Sequence, residues 1–257
     1  MKVICVIPAR YKSSRFPGKP LEDICGKPMI WWVYQQAEKV KRINEIYIAT
    51  DDSRIEKVCH NLNMNVIITW DKHRTGTDRV GEVARKIKAD LYVNVQGDEP
   101  LIQPETIEEA IRPFEKINNN IEVTNCMTEI KEMADLIDTT VPKVVVNKQN
   151  KAIFLSRLPI PYPKSRKGLK YYKQVCVYVF TPEALEKFCI LSEKGPAEEA
   201  EDIELLRFIE NDINVVMVEV EQDTIGVDTP NDLEMARQVI EEQIGVKKWR
   251  ILSVSER

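Results

Sequence analysis

The apolar residues of this chain switch repeatedly between strand-like and helix-like spacing, and that alternation limits the fold more than any other feature. Residues 3–7 form a continuous apolar run, VICVI, ended by Pro8. Over residues 28–40, Met29, Ile30, Val33, Ala37 and Val40 recur at helical spacing. Residues 45–50 (EIYIAT) read as a strand, and Asp51, Asp52 and Ser53 as a helix cap before Ile55, Val58 and Leu62. A strand at 66–69 precedes a helix capped by Thr77 or Asp78 and running to Ile87. A strand at 91–96 precedes a helix that Pro104 opens and that runs to about residue 116. Parallel strands need crossovers of about a dozen residues, usually helical, and these helices cover both faces of the sheet. The expectation is a three-layer α/β fold of Rossmann-like type around a mostly parallel sheet.

The rhythm changes after residue 120. Short strands are expected at 122–127, 143–146 and 152–155, with a turn at 147–150. Residues 158–168 are rich in Pro and Lys and read as an excursion. A strand at 174–180, a helix opened by Pro182, a helix at 198–210, a strand at 214–220 and a last helix at 230–243 follow. A chain of 257 residues fits one large α/β unit. The reading is a single domain over 1–245, with an arm at about 140–180, and a mobile C-terminal tail over 246–257.

Composition removes several classes of function. The chain is 43% hydrophobic and 30% charged with a formal net charge of -4, which is globular but too acidic for a general nucleic-acid binder. No segment approaches the ~20 apolar residues of a membrane span, and the apolar run before Pro8 is too short for a secretory signal. Six cysteines carry no zinc-type spacing. They read as buried thiols of a reduced, cytoplasmic protein.

Open parallel sheets bind ligands at the carboxyl ends of their strands, so the loops there are the informative ones. The first, from Pro8 to Pro20, holds Arg10, Lys12, Arg15 and Lys19 with Ser13 and Ser14. Arginine offers a fork to phosphate oxygens and lysine a point charge, so the loop suits a polyphosphate; the plain alternative is a solvated basic loop. Neither GxGxxG nor GxxxxGK[ST] is present, which argues against an NAD-type dehydrogenase and a P-loop NTPase. The strand before VQGDEP would place Asp98 at the sheet edge, and GVDTP presents Asp228. Two such carboxylates suit a shared Mg²⁺, although Asp228 before Thr229-Pro230 also suits a helix cap. The loop HRTGTDR offers hydroxyls and amides at a helix start, suited to a base or ribose, or simply to capping.

Together these segments resemble the 3-deoxy-manno-octulosonate (Kdo) cytidylyltransferases, the CMP-Kdo synthetases. IPARYKSSRFPGKPL is similar to the family's PARxxSxRxPGKPL, and HRTGTDR, NVQGDEPLI, FLSRLPIPY and GVDTPNDLE each resemble a family segment in the family's order. The resemblance implies a nucleotide-diphospho-sugar transferase-like domain with a dimerisation arm. It implies Mg²⁺-dependent transfer of CMP from CTP to the hydroxyl of a keto-sugar acid, with release of pyrophosphate, in lipopolysaccharide or capsule synthesis. It assigns Arg10, Arg15 and Lys19 to the CTP phosphates and Asp98 and Asp228 to the metal. Pro8, Ala9, Arg74, Thr75, Gly76, Thr77 and Gln96 complete the nucleotide site, with Lys19, Arg10, Asp98 and Asp228 as the catalytic group. Arg157, Gln174, Tyr178, Glu201 and Leu205 are assigned to the acceptor. A homodimer with no nucleic-acid or membrane partner is implied.

Two departures fall in the region that resembles the acceptor pocket. Where the family carries HxGxY, this chain has Gln174-Val175-Cys176-Val177-Tyr178, and the family's LEQLR becomes Ile203-Glu204-Leu205-Leu206-Arg207. A Leu in place of Gln removes two donors and an acceptor. The departures point to an anionic acceptor with fewer or differently placed hydroxyls. The alternative is that these side chains point away from the acceptor and that Kdo itself is used. Two other classes remain beside this one. One is a nucleotidyltransferase that acts on a phosphorylated acceptor and makes a CDP-linked product; the other is a nucleotide sensor without chemistry.

Overall fold

The computed structural model describes the chain except residues 13–15, 117–119, 166–167, 192, 225 and 256–257, with side chains to residue 245. Strand β1 (Val3–Ala9) is followed by a two-stranded hairpin, β2 (Asp23–Ile24) and β3 (Lys27–Pro28), and by helix α1 (Met29–Glu38). Then come β4 (Glu45–Thr50), α2 (Ser53–Asn61), β5 (Val66–Ile68), α3 (Gly76–Lys86), β6 (Leu91–Val95) and α4 (Pro104–Ile111), which continues as a 3-10 turn over Arg112–Glu115. The second half contains β7 (Val123–Glu129), α5 (Met133–Ile137), β8 (Lys143–Val146), β9 (Ala152–Ser156) and β10 (Tyr172–Phe180). It ends with α6 (Pro182–Ile190), α7 (Pro196–Glu201), α8 (Leu205–Glu210), β11 (Val215–Glu219) and α9 (Pro230–Ser255).

The main sheet has the order β11-β7-β10-β6-β1-β4-β5. Strands β6, β1, β4 and β5 are mutually parallel, and β11 is parallel to β7. Strand β10 runs antiparallel to both β6 and β7, between them. The sheet is therefore mixed but mostly parallel, as the β-α alternation implied. The chain leaves β1 toward β4 on one side and returns to β6 on the other. That reversal opens a crevice at the carboxyl ends of β1 and β6, the usual ligand position in such sheets.

Alternation within each strand divides the core in two. Val3, Cys5 and Ile7 face a cluster completed by Ile30 and Val33 of α1, Ile55 of α2 and Ile107 of α4. Ile4 and Val6 face the other cluster, with Val80 and Val83 of α3, Leu185 of α6 and Phe208 of α8. Each of these side chains is essentially inaccessible, and burying one stabilises the fold by ~1.5–3 kcal/mol. A third, smaller cluster joins Ile24, Met29 and Leu101 to Leu233, Ala236 and Ile240 of α9.

Four local readings are corrected. Strand β10, expected at the end of the arm, lies inside the sheet; only the β8–β9 hairpin stands off the main strand order. The helix expected over 198–210 is two helices, because Asp202 takes a left-handed conformation (φ 52°) that ends α7. Helix α3 is capped by Thr75 rather than Thr77 or Asp78, with Asp78 closing a capping box back to the Thr75 amide. The backbone of α9 continues through Ser255, past the expected end at 243.

Candidate functional site

The crevice at the strand reversal is a cleft of about 800 Å³. Glycines set its floor. A Cβ on Gly97 would stand 2.7 Å from the Pro8 carbonyl oxygen, so the loop after β6 can meet the end of β1 only without one. A Cβ on Gly76 would meet Gln96 Nε2 at 3.3 Å and Pro8 at 3.4 Å, so the N-terminus of α3 is held against the same two segments. The N-terminus of an eleven-residue helix thus borders the cleft, a favourable place for anionic or polar ligand groups. Arg10 reaches across, its Nη2 donating to the Arg74 carbonyl at 2.8 Å. The basic loop turns on Gly18, whose φ of 77° suits glycine and whose amide donates to Tyr11 O at 2.8 Å.

Lys19 stands where a cation is most strongly demanded. Its Nζ lies 2.7 Å from Asp98 Oδ2 and 3.2 Å from Asp228 Oδ1. Burial alone would lower its pKa, but the charges and hydrogen bonds of Asp98 and then Asp228 outweigh this and raise it, so Lys19 is an ammonium at neutral pH. The loop bearing Asp228 is fixed beside Asp98 by the Val227 amide, which donates to the Asp98 carbonyl at 2.8 Å. The capping alternative for Asp228 fails. The start of α9 is closed by Thr229 and Asp232, whose backbone amide and carboxylate exchange bonds with each other's side chain and amide.

Glu99 is a member of this cluster that the sequence reading missed. Its side chain is buried, and burial, reinforced by neighbouring Asp98, pushes its pKa up to about 8. The Thr224 hydroxyl donates to it at 2.5 Å, tying the 96–100 loop to the loop that leads to Asp228. In GDEP nothing distinguished Glu99 from an ordinary surface acid.

The residues assigned to the acceptor are arranged differently. Arg157 donates through Nε to the Glu201 carbonyl at 2.6 Å, through Nη1 to the Thr139 carbonyl at 3.1 Å and through Nη2 to the Asp202 carbonyl at 3.2 Å. Glu201 accepts from the Ser156 hydroxyl at 2.7 Å and the Arg157 amide at 2.8 Å. Leu205 is buried in the second core cluster and does not line the cleft. Gln174 Nε2 donates to the Tyr178 hydroxyl at 3.2 Å, and Tyr178 stacks on Phe180 in the core. None of these five lines the cleft, and neither does Thr77, whose hydroxyl donates to Glu204 at 2.5 Å.

Of the expected nucleotide and metal residues, Pro8, Ala9, Arg10, Lys19, Arg74, Thr75, Gly76, Gln96, Asp98 and Asp228 do line the cleft. Arg15 lies outside the described residues. Lys12 of the basic loop lines the cleft too, and the cleft adds Lys194, Glu198, Asp202 and Glu204, which the sequence reading had not assigned. Glu198 is engaged by Arg207, which donates to both its oxygens at 2.7 Å; both side chains are almost fully buried. Burial pushes the pKa of Glu204 up, which the Thr77 bond partly offsets.

Comparison with known proteins agrees with this geometry. The profile of the cytidylyltransferase family matches residues 4–218. The chain is 40% identical over 243 residues to a 3-deoxy-manno-octulosonate cytidylyltransferase of Escherichia coli, covering 95% of this chain and 98% of that one. It is 41% identical over 246 residues to the protein of the same name from Parabacteroides distasonis, covering 92% and 97%. The solved CMP:2-keto-3-deoxy-manno-octonic acid synthetase complexed with CTP superposes with a TM-score of 0.89 at 39% identity, over 95% of this chain and all of that one. The inositol-1-phosphate CTP transferase of T. maritima, at 16% identity and a TM-score of 0.64 over 94% of this chain and 95% of that one, shares the fold. A cleft at the strand reversal, the cation-carboxylate group within it and these likenesses lead to one conclusion: the chain belongs to the cytidylyltransferase family, among the 3-deoxy-manno-octulosonate cytidylyltransferases.

Proposed function

We propose that this enzyme transfers CMP from CTP to the hydroxyl of Kdo and releases pyrophosphate. The observation that carries this reading is the grouping of Arg10, Lys12, Lys19, Asp98 and Asp228 in one cleft with the N-terminus of α3. The acceptor oxygen forms a bond to the α-phosphorus as the bond to the bridging oxygen breaks. Pyrophosphate leaves and the hydroxyl proton passes to solvent. Such transfers depend on positioning and on stabilising the charge spread over the phosphate oxygens. Arg10, Lys12 and Lys19 supply fixed positive charge for the triphosphate. Gln96, Thr75 and Gly76 present polar groups to the cytidine. No enzyme nucleophile takes part.

The donor set suits Mg²⁺, which accepts one or two carboxylates and fills its remaining positions with water and phosphate oxygens. Asp98 and Asp228 are partly exposed, with side-chain accessibilities of 33% and 45%. No group of three acidic, Cys or His side chains among the described residues forms a cage without the substrate. Asp98 and Asp228 would hold the ion, which would supply charge neutralisation at the phosphates. Lys19 lies between the two carboxylates and pairs with both.

Kdo is favoured over a more altered acceptor because Leu205 is a core residue and Gln174 is bonded to Tyr178. Neither of these two departures lines the cleft. A homodimer fits the exposed apolar side chains of the hairpin region, with Ile153, Leu158 and Tyr162 at 53%, 64% and 87% accessibility. Closed two-fold dimers are the commonest homo-oligomers. A cytoplasmic location fits the six unpaired cysteines, and no helix among the described residues is long and apolar enough to cross a membrane.

Thermal shift with Mg²⁺ and CTP, ATP or GTP tests the nucleotide assignment. CTP at 100 times its dissociation constant adds ~2.7 kcal/mol of stability. Equal shifts for ATP and CTP would refute the selectivity.

A further inference from the structure

Four residues of the segment from Lys194 to Glu204 line the cleft beside the nucleotide loops. Three of its cleft-lining residues are acids, Glu198, Asp202 and Glu204, and Lys194 is its one cation among the described residues. Lys194 Nζ lies 2.6 Å from Asp202 Oδ1, with side-chain accessibilities of 26% and 77%. We propose that Lys194 binds the carboxylate of the acceptor and exchanges Asp202 for it when the acceptor enters. This rests on the reading of the enzyme as a transferase acting on a keto-sugar acid.

Three observations carry it. First, Arg157, the one cation among the residues expected at the acceptor, is bonded to the backbone carbonyls of Thr139, Glu201 and Asp202 and does not line the cleft. Its role is to hold the end of α7, and an anionic acceptor needs another cation. Second, the Lys194–Asp202 pair has one largely exposed member, and exposed pairs contribute little, so replacing one carboxylate by another costs little. The ammonium is a compact charge on a flexible stem and can follow the incoming group. Pairing with Asp202 also raises the Lys194 pKa, so the side chain is charged at neutral pH. Third, the Asp202 backbone is held independently of Lys194. Its amide donates to the Glu198 carbonyl at 2.8 Å and its carbonyl accepts from Arg157 at 3.2 Å. Losing the Lys194 pair therefore leaves the turn in place.

Steady-state pyrophosphate release with CTP and Kdo tests this. Lys194→Gln should raise KM for Kdo about tenfold or more, with kcat within about twofold of wild type and KM for CTP unchanged. Lys194→Arg should recover most of the loss. Asp202→Asn removes the competing carboxylate and should lower KM for Kdo. An unchanged KM for Kdo in Lys194→Gln, an equal rise in KM for CTP, or a rise in KM for Kdo in Asp202→Asn would each overturn the assignment while wild-type turnover stands. No pyrophosphate release from the wild type with Kdo would overturn the transferase reading and this assignment together.

Discussion

The two ends of the cleft are built on different principles. The nucleotide end consists of loops pressed together at the strand reversal, where Gly76 and Gly97 allow backbone to meet backbone and side chain. Its charged groups, Arg10, Lys19, Asp98 and Asp228, face the cavity. Around the 194–204 segment the charged groups are taken up by one another or by the backbone: Arg157 and Glu201 behind the cleft wall, by three carbonyls and by Ser156, and Glu198 at the wall, by Arg207. Lys19, Asp98 and Asp228 pair with one another while lining the cleft, whereas Arg157 and Glu201 make their bonds away from it. A charged residue in a functional motif is therefore not a ligand by default. Its partners decide.

This contrast can be broken first at its structural end. Glu198→Ala leaves Arg207 buried without its partner, and removing one member of a buried pair costs about 3–5 kcal/mol. Urea denaturation measures it. A loss under about 1 kcal/mol, the range of exposed pairs, would mean that the pair does not hold this end together.

At the nucleotide end the effect should fall on turnover instead. Asp98→Asn and Asp228→Asn preserve shape but remove charge, and kcat should fall roughly 10²–10³-fold, the usual loss for one electrostatic contact to the transition state. The denaturation midpoint should stay near that of the wild type. Near wild-type turnover in Asp228→Asn would reduce its pairing with Lys19 to a structural contact.

A smaller effect concerns the loop that carries Arg74. Glu82 accepts from the Trp70 amide at 2.8 Å, pairs with Lys86 at 2.7 Å and meets His73 Nε2 at 2.5 Å. Burial would raise its pKa, but the bonds from Lys86, the Trp70 amide and His73 outweigh this and lower it from 4.5 to about 2. A depressed carboxylate contributes stability that is complete above the unfolded value of 4.5 and is lost as pH falls toward 2. Glu82→Gln should flatten the acid limb of the stability-pH curve over that window. An unchanged limb would show that other carboxylates govern it.

The same contrast explains what could be read from sequence. The strand-helix alternation of the first half needs only local period, and the four β-α repeats stand where that period put them. The nucleotide loops lie next to the strands that present them, so PARYKSSRFPGK and GDEP could be placed at the sheet edge directly. What escaped depends on distant partners. Lys19 meets Asp98 across 79 positions and Asp228 across 209, a pairing no local spacing encodes. β10 looks like any β-branched run, and only its neighbours β6 and β7 make it a central antiparallel strand. Leu205 could be identified as a substitution, but the side chain's direction into the core depends on α7 ending at Asp202. Thr75 took the cap from Thr77 because Asp78 closes a box with it, which leaves Thr77 for Glu204.

The central claim is transfer of a cytidylyl group to Kdo. Steady-state pyrophosphate release by the wild-type protein with CTP, Mg²⁺ and Kdo tests it most directly. The expected kcat/KM for Kdo is ~10⁴ M⁻¹s⁻¹ or above, the ordinary range for an enzyme on its own substrate. Pyrophosphate release that appears with another anionic or phosphorylated acceptor, but not with Kdo, would contradict it.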